Sequence, residues 1–155
     1  MGFGKKSNKI EAPPVRKGLS QPEMFALVRR TFDEAGWKYE AKTDKYAILT
    51  SFMGDDLPIA AMIRVDEGSV HFSCLLDLEV PMDKYSEICW NLNEINANLK
   101  YGSFTLDSDD GKIMFNYGMV FVESNFSVDF IKALVRMVVN TVDEYDGELK
   151  KITVK

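Results

Sequence analysis

Residues 57–78 read LPIAAMIRVDEGSVHFSCLLDL, and this stretch decides the predicted fold. Apolar side chains take every second position over residues 57–65 and again over residues 70–78, which is the period of a β-strand with one buried face. The polar Asp-Glu-Gly between the two runs is a short turn, so the pair is predicted to form an antiparallel hairpin. A preceding strand over residues 46–53 joins through the turn at residues 54–56, which makes a three-stranded meander.

Three segments with a helical period lie outside this meander. The first begins at Ser20, where the sequence fits a capping box, and ends near Gly36, which suits a left-handed C-terminal position. The second opens at Pro81 and keeps an unbroken apolar stripe until Gly102 ends it. The third follows Ser127 as its N-cap and is expected to end near Gly147. The strands are therefore interrupted and closed by helices.

Two more strands, around residues 104–106 and 113–121, separate the second helix from the third, with a turn at Asp109-Asp110-Gly111 between them. A short edge strand is also expected within residues 37–41. Tight hairpins rather than crossovers predict an antiparallel sheet with helices packed on one face. We therefore expect an α+β fold of order α-β-β-β-α-β-β-α, as one domain over residues 19–155 after a flexible basic tail over residues 1–18.

The charge of the chain is unevenly distributed. The net charge is −5, but residues 1–17 hold five basic side chains against Glu11, so the remaining 138 residues carry −9. An acidic body repels a phosphate backbone, so nucleic acid is not an expected partner. No apolar run reaches the ~18 residues that cross a bilayer, and the basic start lacks the apolar stretch of a secretory signal. A cytoplasmic protein without a membrane partner is expected.

The residues that most often carry chemistry form no recognisable motif. His71 is the only histidine, and its strand phase points it away from the core. Cys74 and Cys89 both fall on apolar stripes and are expected in the core, in a spacing that fits neither a disulfide framework nor a zinc site. Residues 107–111 begin like a calcium loop but lack its later positions, so a β-turn is expected. We therefore predict no catalytic residue, cofactor or metal site, and no enzyme.

The hydrophobic pattern exceeds what one core needs. The third helix has a second apolar row of Phe130, Leu134 and Met137, which is either a widened core stripe or a contact with a partner. Trp90 lies off the core stripe of the second helix. Apolar residues also occupy the outward phase of the strands, namely Met53, Ala60, Met62, Leu75, Met114, Val120 and Val122. Together these residues favour a homodimer or a contact with a partner polypeptide.

One polar residue interrupts the apolar stripe of the second helix. Burial of the Asn96 amide without hydrogen bonds would lower the stability of the fold by about 1–3 kcal/mol. Its amide is therefore expected to bond the backbone of a neighbouring helix end or strand, which is a structural role.

The stretch LNEINANLKYGSFTLD at residues 92–107, followed by Asp110-Gly111 and a long strand, resembles the YbjN family of small bacterial proteins. The resemblance extends over residues 19–147 and is most specific over residues 92–126. The family is associated with sensory-transduction regulation, without an assigned reaction. The resemblance implies a fold like that of type III secretion chaperones, which are small acidic dimers that bind stretches of an effector chain.

These observations support two hypotheses about function. The preferred one is a non-enzymatic, chaperone-like regulatory domain that is dimeric and holds a partner polypeptide through apolar surface and strand edges. The alternative is a sensory domain with a small ligand between the sheet and the helices, although no convergent set of polar residues predicts such a pocket.

Overall fold

The computed structural model describes residues 18–121 and 126–154, so nearly all of the predicted tail, and Val122, lie outside the described residues. Within them, the elements follow in the order α1 Gln21–Ala35, β1 Glu40–Lys42, β2 Ala47–Met53, β3 Pro58–Asp66, β4 Ser69–Glu79, α2 Tyr85–Asn98, β5 Ser103–Leu106, β6 Lys112–Val120 and α3 Val128–Val154. The predicted α+β order is confirmed, including the short edge strand.

The strands form one antiparallel sheet with the order β1-β2-β3-β4-β6-β5. The first four strands lie side by side in the sheet in the order in which they occur in the sequence, because short turns connect them. β6 then lies between β4 and β5, because the β5–β6 hairpin returns after α2 and adds its second strand to the sheet. The register pairs Ile63 with Phe72 and Cys74 with Phe115, so one face of the sheet collects the large apolar side chains.

Helices α1, α2 and α3 pack on that face and share one hydrophobic core with it. α1 contributes Met24, Val28 and Phe32, all fully buried, and the inward positions of the strands contribute Ile59 and Phe115 among others. Each buried side chain of this size stabilises the fold by roughly 1.5–3 kcal/mol relative to exposure. The core therefore accounts for one face of the sheet, and none of the described helices covers the other face.

The predicted starts of α1 and α3 are confirmed, whereas α2 begins at Tyr85, after a 3-10 turn over Met82–Lys84, and not at Pro81. The Ser20 Oγ accepts from the Glu23 N–H at 3.3 Å, and the Glu23 carboxylate accepts from the Ser20 N–H at 2.7 Å, which completes a capping box. At α3, the Ser127 Oγ accepts from the Phe130 N–H at 3.1 Å. Both caps satisfy backbone donors that a first helical turn leaves unpaired.

Two helix ends differ from the sequence expectation. α2 ends at Asn98, before Gly102, and Gly102 instead forms the turn into β5 with φ of 70°. A Cβ at this position would lie 2.4 Å from the Phe115 Cζ, so both backbone and packing require glycine. α3 runs past Gly147 to Val154, because Gly147 faces Asp56 closely and Leu149 beyond it is buried.

The two cysteines differ in environment, which corrects one expectation. Cys74 is buried on β4, but Cys89 is exposed on α2. The buried stripe of α2 consists of Ile88, Leu92 and Ile95, and the 100° step per residue turns Cys89 out of that stripe. Both thiols are free, and they do not meet in the core.

Candidate functional site

The candidate site lies on the face of the sheet that the described helices leave uncovered, which we call the open face. It consists of the outward side chains of β1 to β6. The register lines up Leu49, Met62 and Ser73 in one row across the sheet, and Ala60, Leu75 and Met114 in the next. Apolar and small polar residues therefore lie side by side on this face.

A polar row crosses the open face on the central strands. Its members are Arg64 on β3, His71 and Ser73 on β4, and Asn116 on β6, and they line a shallow hollow of about 330 Å³. The Ser73 hydroxyl donates to the Asn116 Oδ1 at 3.0 Å, and the Asn116 amide donates to the Thr105 hydroxyl at 3.2 Å. These contacts fix the orientation of the Asn116 side chain across three strands.

His71 has a defined position because the residue opposite it is glycine. A Cβ at Gly118 would lie 3.0 Å from the His71 Nδ1, so the imidazole occupies space that most side chains would fill. Its Nε2 contacts the Ser69 hydroxyl at 3.0 Å and lies 3.4 Å from the Asp66 carboxylate. The Asp66 carboxylate in turn accepts hydrogen bonds from two nitrogens of Arg64, the shorter at 2.9 Å. The Arg64 charge is thus neutralised within the row.

An apolar groove lies at the other end of the open face, with a volume of about 230 Å³. It is lined by Ser51, Pro58, Ala60, Leu75, Leu76, Asp77 and Lys112. Met53 lies next to Pro58 in the register and is 82% exposed, so the apolar surface continues past the groove. Exposed apolar surface that extends over several strands is typical of an interaction site.

The seven residues predicted as partner contacts occupy three separate places. Met62, Met114 and Val120 lie on the open face, the first two half-buried and Val120 63% exposed. Trp90 is 65% exposed on α2. These two locations are accessible, so the prediction that they contact a partner stands as a prediction.

The second apolar row of α3 is divided between surface and core. Phe130 is exposed and its ring stacks on Phe126 with 4.9 Å between centroids, whereas Met137 is half-buried against the core. Leu134 is only 8% exposed and belongs to the core, which corrects its place among the candidate contacts. α3 lies against both α1 and β4, so its buried stripe is wider than one contact surface needs.

The two edges of the sheet differ in how they are protected. At β5, the Asn96 side chain donates to the Phe104 C=O at 2.9 Å and accepts from the Phe104 N–H at 2.7 Å. The amide thereby replaces a neighbouring strand, which confirms the structural role predicted for Asn96. At the other edge, β1 pairs only with residues 47–49 of β2, so residues 51–53 have no strand partner there within the described chain. An open edge of this kind can accept an extended peptide.

A cluster of acidic residues joins α3 to the β2–β3 turn. Asp143 accepts from the Asp55 N–H at 2.6 Å, and the Asp146 Oδ2 accepts from the Leu57 N–H at 3.1 Å. Asp146 is fully buried, and its Oδ1 has no hydrogen-bond partner among the described residues. Burial, followed by the charges of Asp143 and Asp56, raises the pKa of Asp146. The cluster fastens a helix to a turn.

The described residues offer neither a metal cluster nor a membrane-spanning helix. Over residues 18–121 and 126–154, no three His, Cys, Asp or Glu side chains are placed to hold a metal ion together. The residues 107–111 form a turn in which the Asp107 carboxylate accepts from the Asp109 N–H at 2.9 Å. In the same part of the chain, no helix combines the length and apolar character needed to span a bilayer.

Comparison with known protein families identifies the family of this chain. The model of the YbjN family, described as "Putative bacterial sensory transduction regulator", matches residues 25–151. The chain belongs to the YbjN family. None of the curated protein sequences matches the chain. The crystal structure of YbjN from Escherichia coli has the same fold, with a TM-score of 0.67 at 19% identity over 86% of this chain and 95% of that one.

Other solved structures with this fold include chains of a chaperone–effector complex and of a type III secretion complex. The HopA1–SchA chaperone–effector complex contains a chain that matches with a TM-score of 0.56 at 13% identity, over 83% of this chain and 98% of that one. The ExoU–SpcU heterodimer of the type III secretion system of Pseudomonas aeruginosa gives a TM-score of 0.53 at 15% identity, over 80% and 95%. The expected likeness to the fold of type III secretion chaperones is confirmed.

The polar row is the feature that reading the sequence missed. Nothing in the sequence distinguishes Arg64, Ser73 and Asn116 from other residues, because each is an ordinary polar residue on an outward strand position. The signal that identifies them is the register, which places β6 beside β4 although 32 residues lie between Glu79 and Lys112. Pairing β6 with β4 requires knowledge of the strand order, and hairpin signals alone favour sequential neighbours.

Proposed function

We propose that this YbjN-family protein is a non-enzymatic regulatory domain that binds a partner polypeptide on the open face. The observation that carries the proposal is the uncovered sheet, with exposed Leu49, Met53, Leu75 and Val120 on β2, β4 and β6. Solved neighbours of the same fold are held in complexes with partner chains, which supports this kind of role. An exposed apolar face beside an incompletely covered edge suits an extended or amphipathic segment.

A photo-crosslinking amino acid placed at single positions of the full chain, in the cells that make it, tests this proposal. A crosslinker at Leu75 is expected to give a discrete adduct with a partner polypeptide, identified by mass spectrometry. The same residue at Glu148, which is exposed on α3, serves as the control because it lies away from the open face. If Leu75 gives no adduct beyond those of Glu148, the open face does not bind a partner.

We further propose a homodimer and a cytoplasmic location. Trp90 and Phe130 are exposed aromatic residues outside the open face, and large aromatic side chains often anchor interfaces. Two free cysteines suit a reducing compartment. Sedimentation equilibrium is expected to give twice the chain mass, and Trp90→Asp or Phe130→Asp is expected to reduce it to one. Leu134→Asp is unsuitable as a probe, because Leu134 is buried.

A second candidate function rests on the polar row. Arg64, His71, Ser73 and Asn116 converge on one hollow, and convergent polar groups are typical of small-ligand sites. The hollow lies on the open face and not between the sheet and the helices. A metabolite that binds there is expected to raise the melting temperature of the wild-type protein by more than ~1 °C but not that of Asn116→Ala. If no metabolite in a screened library produces this difference between the two proteins, the ligand-binding role is wrong.

A further inference from the structure

The open face carries one carboxylate, Asp77, that has no paired cation among the described residues. Its three cations each lie beside a carboxylate, in the pairs Lys42–Glu40, Arg64–Asp66 and Lys112–Glu79. Asp77 lines the apolar groove but makes no ion pair or hydrogen bond with the side chains that the structure describes. Lys112 also lines the groove and lies 3.8 Å from Glu79, so Asp77, Glu79 and Lys112 together leave one net negative charge beside the apolar surface. The complement of this surface is an apolar side chain close to a cation.

The chain itself contains a segment of this composition. Residues 3–10 read FGKKSNKI, in which Phe3 and Ile10 enclose three lysines. The whole stretch of residues 1–17 carries +4, whereas the remainder of the chain carries −9. Charge complementarity of this kind favours association between the two, more strongly at low salt.

The point where the tail enters the fold puts the groove within reach. α1 begins at Gln21, whose side chain donates to the Val65 C=O at 2.9 Å, so the tail joins the fold at the end of β3. The groove is five residues back along this strand at Ala60, which is about 17 Å at strand spacing. Residues 11–17 span up to about 25 Å when extended, and Pro13-Pro14 favours extended backbone. A connection of this length allows residues 3–10 to reach the groove around the end of the sheet.

We propose that residues 3–10 dock in cis into the apolar groove, with a lysine against Asp77 and an apolar side chain against Leu75. The tail then occupies the surface that the proposed function assigns to a partner, so a partner must displace it. The docking stands independently of the proposed function, and only the competition rests on it. The alternative occupant of the groove is a second copy of the chain, which the experiment separates from the tail.

Paramagnetic relaxation in the full chain tests the docking. A nitroxide is attached at Ser7→Cys in a Cys89→Ser background, which leaves buried Cys74 unlabelled. Amide signals of Ala60, Leu75 and Asp77 are expected to broaden, while those of Glu94 on α2 stay sharp. Asp77→Asn is expected to reduce this broadening at least twofold, and Glu94→Gln, an exposed acid on another surface, is the matched control that leaves it unchanged.

A mixture of isotope-labelled chains without nitroxide and unlabelled chains with nitroxide separates the two occupants. Broadening in this mixture means that the tail docks on a second copy, which overturns the proposal. Absence of broadening on the open face in the first sample, or broadening that Asp77→Asn leaves unchanged, overturns it as well.

A charge-reversed tail, Lys5→Glu with Lys6→Glu and Lys9→Glu, tests the competition in the crosslinking experiment at Leu75. A several-fold higher yield of the partner adduct is expected once the tail no longer covers the groove. An unchanged yield overturns the competition. If relaxation shows the docked tail but no partner adduct forms with either tail, the docking is retained and the proposed function fails.

Discussion

At the scale of single residues, the environments of the two thiols differ most. Burial raises the pKa of Cys74 to about 12, because the thiolate would lose its solvation in the core. Cys89 is exposed on α2. We expect one thiol per chain to react with a thiol reagent at pH 8 in the native protein, and two after unfolding in guanidinium. Cys89→Ser is the control that leaves no fast-reacting thiol. Two fast-reacting thiols in the native wild-type protein would contradict the burial of Cys74.

Asp146 makes a pH-dependent contribution to stability. Burial and the neighbouring Asp143 and Asp56 raise its pKa in the folded state, so folding favours the protonated carboxyl. This stabilisation is complete below the ordinary pKa of aspartate and is lost as pH rises through the raised value. Asp146→Asn keeps an oxygen that accepts from the Leu57 N–H, and its amide does not ionise as pH rises.

The measurement for Asp146 is the melting temperature of wild type and Asp146→Asn from pH 4 to pH 7. The advantage of Asp146→Asn over wild type is expected to grow as pH rises. Glu94→Gln changes an exposed acid and is expected to give a difference that stays flat with pH. A difference for Asp146→Asn that is flat or shrinks would show that the native carboxyl is not shifted in this direction.

At the scale of elements, Asn96 holds α2 to the edge strand β5. Asn96→Ala leaves both the Phe104 N–H and C=O without partners in a half-buried position. An unsatisfied buried polar group costs about 1–3 kcal/mol, and we expect a loss of that size in the free energy of unfolding, measured in urea. Asn93→Ala, on the exposed side of the same helix, is the matched control and is expected to change the stability by less than about 0.5 kcal/mol.

An equal loss for Asn93→Ala and Asn96→Ala would mean that helix propensity, and not the pairing with β5, accounts for the effect. A loss for Asn96→Ala alone would show that a side chain can terminate the sheet where a seventh strand would otherwise pair. The two sheet edges then differ in function, because the β2 edge lacks such a substitute over residues 51–53.

At the scale of the whole molecule, the sequence predicts the fold well because its signals are local. Strand period, turn residues and the caps at Ser20 and Ser127 each act within a few positions, and the structure has each of them. The failures are of another kind. Cys89 lies beside the buried stripe of α2, and Leu134 is buried because α3 packs on both α1 and β4. When a helix has two adjacent apolar rows, the packing of several elements together determines which row is buried.

The candidate site follows the same division. Alternation predicted which side chains point away from the core, so the outward positions of Met62, Met114 and Val120 could be read from the sequence. The polar row and the apolar groove depend on which strands are neighbours. β6 beside β4 brings Asn116 to Ser73 and Lys112 to Glu79, and nothing within either strand indicates that pairing.

The insertion of β6 between β4 and β5 has a consequence for how the protein is made. During synthesis, β1 to β4 can pair as soon as they leave the ribosome, but the far side of β4 must wait until residues 112–120 have been translated. For those roughly 40 residues of translation, which take about 2–8 s, an eleven-residue strand presents an unpaired edge. Such an edge is a template for association with other chains. The nascent chain is therefore most vulnerable to aggregation while α2 is being made, before the last hairpin closes the sheet.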